Sequence, residues 1–356
     1  MPINRIFPNA IQRLSSFLSS KIAKPREVVI EITDRCNLDC SFCFNKIYNR
    51  NRNEEAELNT ENLKKIIDHI VLANIRQIRF SGGEPLIREN IFVLMEYAKS
   101  KGLNVWLNTN ATLLDKEKIH ILEKFVENVL IPLNAFNVTS EYKVTNRYLF
   151  KKKLKNIKLL RDTSIKVIRL GTVATKYNIQ NLERIYDLVK RLNIDNWELF
   201  RPIPVAPNLL PVDNNDIAVL VEKLLKINKE SNKTYKIYNA LPFCCYDPED
   251  VVRVANGAES DDGHTRFVIG SNGVAKPMYY LIEDIGNILK DNALTAWNNK
   301  FMKEMRRLHY VPKICKRCKY VKVCKGGSRI VSIVVGGDYR SLDYLAQPNK
   351  YRDILK

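Results

Sequence analysis

Residues 28–43 read VVIEITDRCNLDCSFC. The Val- and Ile-rich run Val28–Thr33 is a strand candidate, and Cys36, Cys40 and Cys43 follow it directly. Three thiolates therefore share one loop at the mouth of a sheet. Three cysteines hold three irons of a cubane cluster and leave the fourth iron open to a small molecule. A structural zinc site would want a fourth protein ligand close by, and the rest of the loop offers neither His nor Cys.

Outward from this strand, short apolar runs alternate with longer helical patterns as far as about residue 200. Further strand candidates are Gln77–Phe80, Asn104–Asn108, Asn128–Pro132, Val167–Val173 and Trp197–Arg201. Helical spacing marks Thr60–Ala73, Glu89–Lys101, Lys116–Phe125, Phe150–Asp162 and Ile179–Leu192. Successive βα units of this kind build a parallel sheet. Six strands are too few for a closed eight-stranded barrel, so the expected fold is α/β, a partial (β/α)6 TIM-like barrel, with its chemistry where strands end and loops begin.

The alternation stops after Arg201, where Pro202, Pro204, Pro207 and Pro211 interrupt it. A helix over about Asn215–Asn228 follows, and then a Gly-rich tail in which Thr265–Ile269 and Val274–Tyr279 flank the turn Gly270-Ser-Asn-Gly273. The expected organisation is an N-terminal amphipathic helix within 1–24, the partial barrel over 25–230 and a small α+β extension over 231–356.

Several later segments agree with the cysteine loop. Phe42 precedes the third cysteine, Ser81-Gly82-Gly83-Glu84-Pro85 ends the second strand, Asn108-Thr109-Asn110 follows the third, and Asn134 follows the fourth. In this order and placement the chain resembles the radical S-adenosylmethionine (SAM) superfamily. The resemblance implies a [4Fe-4S] cluster on Cys36, Cys40 and Cys43, with SAM on its open iron. It places Phe42 beside the adenine and the segment Gly82, Gly83, Glu84 and Pro85 against the methionine amino group. Asn110 stands where the family usually has glycine, and Asn134 falls where relatives bond the ribose or carboxylate. Glycines let backbone come close to a ligand, and a carboxylate such as Glu84 suits an ammonium group. Reductive cleavage of SAM would yield a 5′-deoxyadenosyl radical that abstracts hydrogen from a substrate, with a flavodoxin or ferredoxin as electron donor.

A second group, Cys315, Cys318 and Cys324, has the spacing CxxCxxxxxC and precedes Lys325-Gly326-Gly327. It resembles the SPASM and twitch extensions of radical SAM enzymes, which house auxiliary iron–sulfur clusters, although CxxC units also suit zinc. Against the seven-cysteine SPASM pattern, Ser328 and Met278 occupy cysteine positions. One auxiliary cluster is therefore expected, not two. Its fourth ligand is open among Asp343, Asp338, Cys244, Cys245 and a substrate atom, with thiolate the better ligand. Cys244 and Cys245 have three readings: cluster ligand, hydrogen donor to a substrate radical, or buried small residues. The polar stretch Asp261–Arg266 reads as substrate lining or as an exposed turn.

The whole chain has 356 residues, 45% hydrophobic and 27% charged, an ordinary globular balance. No apolar run approaches the length that spans a bilayer, and the N-terminus has no signal-peptide pattern. Its apolar positions Ile11, Leu14, Phe17, Leu18 and Ile22 suit a helix docked on the main domain. Membrane contact is not expected, and the location expected is the cytoplasm, where clustered cysteines mean metal rather than disulfides. The net charge of +19 and runs such as Lys151-Lys152-Lys153 raise nucleic acid as a partner. The basic residues are scattered, however, and a solvated lysine-rich surface is the preferred reading.

Relatives with this extension mostly act on peptides, so the leading expectation is modification of a ribosomally made peptide by cross-linking, oxidation or epimerisation. Only about 25 residues precede the first strand, too few for a fused leader-binding domain, so a separate recognition protein or direct capture is expected. A small-molecule dehydrogenase in antibiotic or cofactor biosynthesis is the alternative, followed by RNA modification, and a zinc-binding interaction protein is the non-enzymatic reading.

Overall fold

The computed structural model describes residues 24–46, 57–194, 196–204, 211–258, 263–281 and 283–355. The amphipathic segment Ile11–Ile22, and with it Pro207, Asp261 and Asp262, lies outside the described residues.

Six parallel strands form the framework: β1 (Glu27–Glu31), β2 (Gln77–Ser81), β3 (Asn104–Asn108), β4 (Val126–Pro132), β5 (Val167–Val173) and β6 (Asn196–Phe200), each paired to the next. The connections carry α1 (Thr60–Leu72), α2 (Ile91–Ser100), α3 (Lys116–Phe125), α4 (Val138–Thr145), α5 (Phe150–Arg161) and α6 (Leu182–Leu192). This is the partial-barrel arrangement of βα units that the alternation predicts.

Side-chain alternation explains how the sheet is covered. Ile78 and Phe80, Val105 and Leu107, Val129 and Ile131, and Trp197 and Leu199 are buried in one continuous apolar core with the helices. In α6 the core-facing residues Leu182, Ile185, Val189 and Leu192 recur at helical spacing, and Asn193, at φ 53°, ends the helix in the left-handed region. The opposite face of the strands is charged. Glu27 pairs with Arg79 and Arg266, each at 2.8 Å, and Arg169 pairs with Glu198 at 2.8 Å. The guanidinium groups of Arg79 and Arg169 lie over the Trp106 ring, 4.6 and 5.3 Å from its centre. Against the desolvation of burial, Arg79 and Arg266 hold the Glu27 carboxyl well below the usual carboxylate range.

After α7 (Asn214–Ser231) the chain returns to both edges of the same sheet. β7 (Lys236–Ile237) pairs in parallel with β6, and β8 (Arg266–Ile269) pairs in parallel with β1. β9 (Val274–Lys276) folds back antiparallel on β8 through the Gly270–Gly273 turn, and β10 (Gly286–Asn287) completes the edge. No helix among the described residues is long and apolar enough to cross a membrane.

Candidate active site and cysteine-lined cavity

The loop after β1 is fastened to the loop after β2 by a short ladder. Ile32 N–H donates to the Ser81 carbonyl at 3.0 Å, Gly83 N–H to Thr33 at 2.7 Å and Glu84 N–H to Arg35 at 2.8 Å. The two glycines allow this approach. A Cβ on Gly82, whose φ is +141°, would lie 2.3 Å from the Thr33 carbonyl oxygen, and one on Gly83 would lie 2.1 Å from that of Arg35. The requirement for glycine thus comes first from packing within the chain. Glu57 adds a clamp: it accepts from Thr33 Oγ1 and, at 3.2 Å, from both Arg35 Nε and Nη2. Pro85 begins the short 3-10 turn that follows.

Glu84 is fully buried beneath this ladder. Its Oε1 accepts from Thr109 Oγ1 at 2.7 Å and Leu86 N–H at 3.1 Å, and its Oε2 accepts from Asn110 N–H at 2.7 Å. Burial pushes its carboxyl up to about 7, against the pull of the three donors. Its observed partners are all protein groups that weld the β2 loop to the β3 loop. Asn110 continues the chain of contacts, donating from Nδ2 to Asn37 Oδ1 at 2.9 Å while its own oxygen accepts from Thr112 N–H at 2.9 Å. Asn37 in turn donates to Thr112 Oγ1 at 2.8 Å. Asn134 is buried at the end of β4, where its Oδ1 accepts from Val173 N–H at 2.7 Å.

The other side of the cysteine loop rests on α4, an element with no apolar stripe to announce it. Asn137 caps α4 in a reciprocal box with Ser140, and the last turn of α4 receives Asp39 N–H on the Thr145 carbonyl at 3.2 Å and Ser41 N–H on Val144 at 2.9 Å. Cys40 sits between these two bonds. Cys36, Cys40 and Cys43 are partly exposed. Desolvation, then the neighbouring Cys43, push the Cys40 thiol up to about 12. Leu38 N–H points at Cys36 Sγ at 3.4 Å, the kind of contact that tunes a metal-bound sulfur. Phe42 lies in the turn before Cys43 and is partly exposed. Phe44, just after it, packs on Tyr279 and Tyr280 of the C-terminal extension, with ring centres 5.7 and 5.6 Å apart.

The C-terminal cysteines converge on a separate small cavity lined by Cys244, Cys315, Cys318 and Cys324. Phe243 N–H approaches Cys324 Sγ and Tyr320 N–H approaches Cys318 Sγ, each at 3.4 Å. Desolvation first, then the nearby Cys324 thiol, push Cys244 and Cys315 up to about 12. Among the described residues no group of three Cys, His, Asp or Glu side chains is drawn together tightly enough to hold a single metal ion, in this cavity or in the Cys36 loop. Four thiols around one cavity fit the donor set of a cluster. Cys245 is buried in the main apolar core instead and is absent from the cavity lining.

Asp343 is committed elsewhere. It forms a fully buried pair with Arg201, whose Nη1 donates at 3.1 Å, and it also accepts from Ser328 N–H at 3.0 Å and Leu345 N–H at 3.2 Å. Asp338 is exposed. Met278 and Ser328, at the two positions where the full pattern has cysteine, are buried, Met278 within an apolar cluster that includes Ile203, Tyr280 and Ile330.

Residues 30–189 match the family described as the radical SAM superfamily. The chain carries a radical SAM domain there. It is 25% identical over 335 residues to the AdoMet-dependent heme synthase of Methanosarcina barkeri, covering 88% of this chain and 94% of that protein. It is 24% identical over 341 residues to the PqqA peptide cyclase of Bradyrhizobium diazoefficiens, covering 90% and 85%. In three dimensions it is similar to Streptococcus suis SuiB bound to S-adenosylmethionine, with a TM-score of 0.74 at 20% identity, covering 95% of this chain and 81% of SuiB. A radical SAM domain uses a [4Fe-4S] cluster and SAM, and the cysteines of the C-terminal extension fit an auxiliary cluster.

Sequence reasoning left out Asn37, Glu57 and Thr112, which brace the cysteine loop, and gave Thr109, within the Asn108–Asn110 segment, no role of its own. Asn37 and Thr112 stand beside motif residues, whereas Glu57 lies away from every motif and strand end and carries no sequence signal.

Proposed function

We propose that this radical SAM enzyme modifies a ribosomally synthesised peptide by cross-linking, oxidation or epimerisation. The reading is carried by the likeness to PqqA peptide cyclase, which covers 90% of this chain and 85% of that protein. SuiB bound to the precursor peptide SuiA, at TM-score 0.74, and anSMEcpe bound to AdoMet and a peptide, at 0.70, lend support through shared fold. When bound, the cluster and SAM supply an electron and a 5′-deoxyadenosyl radical that abstracts hydrogen.

The chain's own residues hold and screen that chemistry. Cys36, Cys40 and Cys43 are the cluster ligands, and the segment Gly82–Pro85 receives SAM through its backbone, because the Glu84 carboxylate is taken up by Thr109, Asn110 and Leu86. Phe42 serves the adenine, and Asn110 and Asn134 set the strand ends around the cofactor. Phe44, Tyr279 and Tyr280 form the wall that joins the cluster loop to the extension and keeps water from the radical. Cys244, Cys315, Cys318 and Cys324 hold one auxiliary cluster, and Cys245 is a core residue. The units are 25–230 and 231–356, preceded by 1–24. Reduction requires an acidic donor such as flavodoxin or ferredoxin, and a separate protein presents the leader peptide. The cytoplasm is the compartment in which such thiols stay reduced.

A second reading has specific support: relatives of comparable identity are named heme synthases and an Fe-coproporphyrin III synthase. On this reading the substrate is a cofactor precursor. The two separate when anaerobic, reduced enzyme is given SAM with either a short peptide encoded beside its gene or Fe-coproporphyrin. The peptide reading predicts 5′-deoxyadenosine release and a mass change in the peptide alone; turnover of the porphyrin with an unaltered peptide would reverse the assignment.

A further inference from the structure

Two tyrosines stand in the open beside the cysteine loop. α4 ends at Asn146, at φ 53° in the left-handed region, with the Asn146 N–H on the Tyr142 carbonyl at 2.8 Å. The chain turns there and brings Tyr148 over Tyr142, ring centres 4.3 Å apart and planes 15° from parallel. Tyr148 is nevertheless 71% exposed and Tyr142 39%. Stacking holds each ring in one orientation, so a partner that covers them has little side-chain entropy left to remove. Tyrosine and arginine are also among the residue types that carry the energy at the centres of protein interfaces.

Positive charge flanks the pair along the chain. Lys143, Arg147, Lys151, Lys152 and Lys155 are all exposed. From Val138 to Arg161 the single carboxylate is Glu141, which is buried and paired with the buried Lys153. The run Lys151–Lys153 thus divides, two lysines to solvent and the third to the interior, and the exposed charge of this segment is wholly cationic.

The same helix supports the cysteine loop. α4 offers the carbonyls of Val144 and Thr145 to Ser41 and Asp39, at 2.9 and 3.2 Å on either side of Cys40, and turns Tyr142 and Lys143 to solvent. Cys36, Cys40 and Cys43 are themselves partly exposed. Cationic charge alone would suit RNA as well, but RNA has no need of the cluster loop, whereas an electron donor must come close to it because electron transfer slows steeply with distance. Opposite charge would steer and orient an acidic donor on this surface.

We propose that Tyr142, Tyr148 and the exposed lysines of α5 form the docking surface for an acidic electron-carrier protein of the flavodoxin kind, which reduces the cluster of the Cys36 loop from there. The proposal rests on the radical SAM reading of that loop. One electron leaves the reduced carrier and enters the cluster, and no bond in this chain is made or broken.

The test compares reconstituted full-length wild type with Lys151→Glu/Lys152→Glu, with Tyr142→Ser/Tyr148→Ser, and with a control of equal charge change, Lys226→Glu/Lys229→Glu, whose lysines are exposed on α7. Affinity for a bacterial flavodoxin is measured by calorimetry, and 5′-deoxyadenosine formation from SAM is measured with dithionite and with the reduced flavodoxin. With dithionite all four proteins are expected to match. Both surface variants are expected to bind flavodoxin at least about tenfold more weakly, with a corresponding rise in the flavodoxin concentration that half-saturates turnover. Salt should weaken wild-type binding more than that of the lysine variant, and the α7 control should bind as wild type does. Flavodoxin affinity untouched by the surface variants, or absent from wild type, overturns the proposal; a transfer RNA that binds wild type but not those variants would then assign the surface to nucleic acid. Equal weakening in the α7 control, or equal loss of turnover with dithionite, overturns it too. A wild-type chain that forms no 5′-deoxyadenosine even with dithionite instead defeats the radical SAM reading itself.

Discussion

Asn110 Nδ2 donates to Asn37 Oδ1 at 2.9 Å, tying the residue after the first cysteine to the loop after β3. Glycine, the residue the family resemblance leads one to expect at this position, could not make that bond. Asn110→Gly is expected to cost about 1–2 kcal/mol of loop order, read as roughly tenfold weaker SAM binding with the iron content retained. Unchanged SAM affinity would show that the brace is dispensable.

The adjacent thiols are expected to separate cleanly. Cys244→Ala removes a lining residue of the four-cysteine cavity and should bring a chain with two clusters from about eight irons towards about four. Cys245→Ala, buried in the apolar core, should keep its iron and lose on the order of 1 kcal/mol in urea unfolding. The reverse pattern of iron loss would exchange their roles.

Arg201 and Asp343 join the end of β6 to the C-terminal extension across 142 residues, with both side chains fully buried. Removing one partner strands a charge, so Asp343→Ala should destabilise by about 3–5 kcal/mol. Replacing both by apolar residues should recover much of that loss. Equal destabilisation in the single and double variants would mean that the stranded charge is not the cause.

Glu84 gives stability a pH dependence. Its native value, about 7, lies above its ordinary 4.5, so the fold keeps a proton that the unfolded chain has already lost. The contribution is undiminished below about pH 4.5, falls between there and about 7, and is level above, a total loss of about 3 kcal/mol. Unfolding of Glu84→Gln, measured against wild type across this range, should show the difference shifting in favour of the variant as pH rises. A flat difference contradicts the account.

The framework was legible because it is written in local periodicity. Asn104–Asn108 and Val167–Val173 are strands with the expected bounds, and the Gly270–Gly273 turn joins β8 to β9 as expected. Val138–Thr145 escaped notice because VTSEYKVT mixes β-branched and polar residues without a stripe; its cap and its contact with the cysteine loop make it a helix. Lys153 carries no mark that separates it from its solvated neighbours, since depth depends on what packs above it. The choice between Cys244 and Cys245 turns on which way each side chain points within one turn, and the Arg201–Asp343 pair is set by tertiary structure alone.

The most direct test of the two-cluster account compares anaerobically reconstituted wild type with a Cys36→Ala/Cys40→Ala/Cys43→Ala variant by iron and sulfide content and by EPR after reduction. The account predicts that the variant keeps about half the iron and a cluster signal that SAM leaves unperturbed. Loss of all iron from the variant would contradict it and leave the C-terminal cysteines as a zinc or structural element.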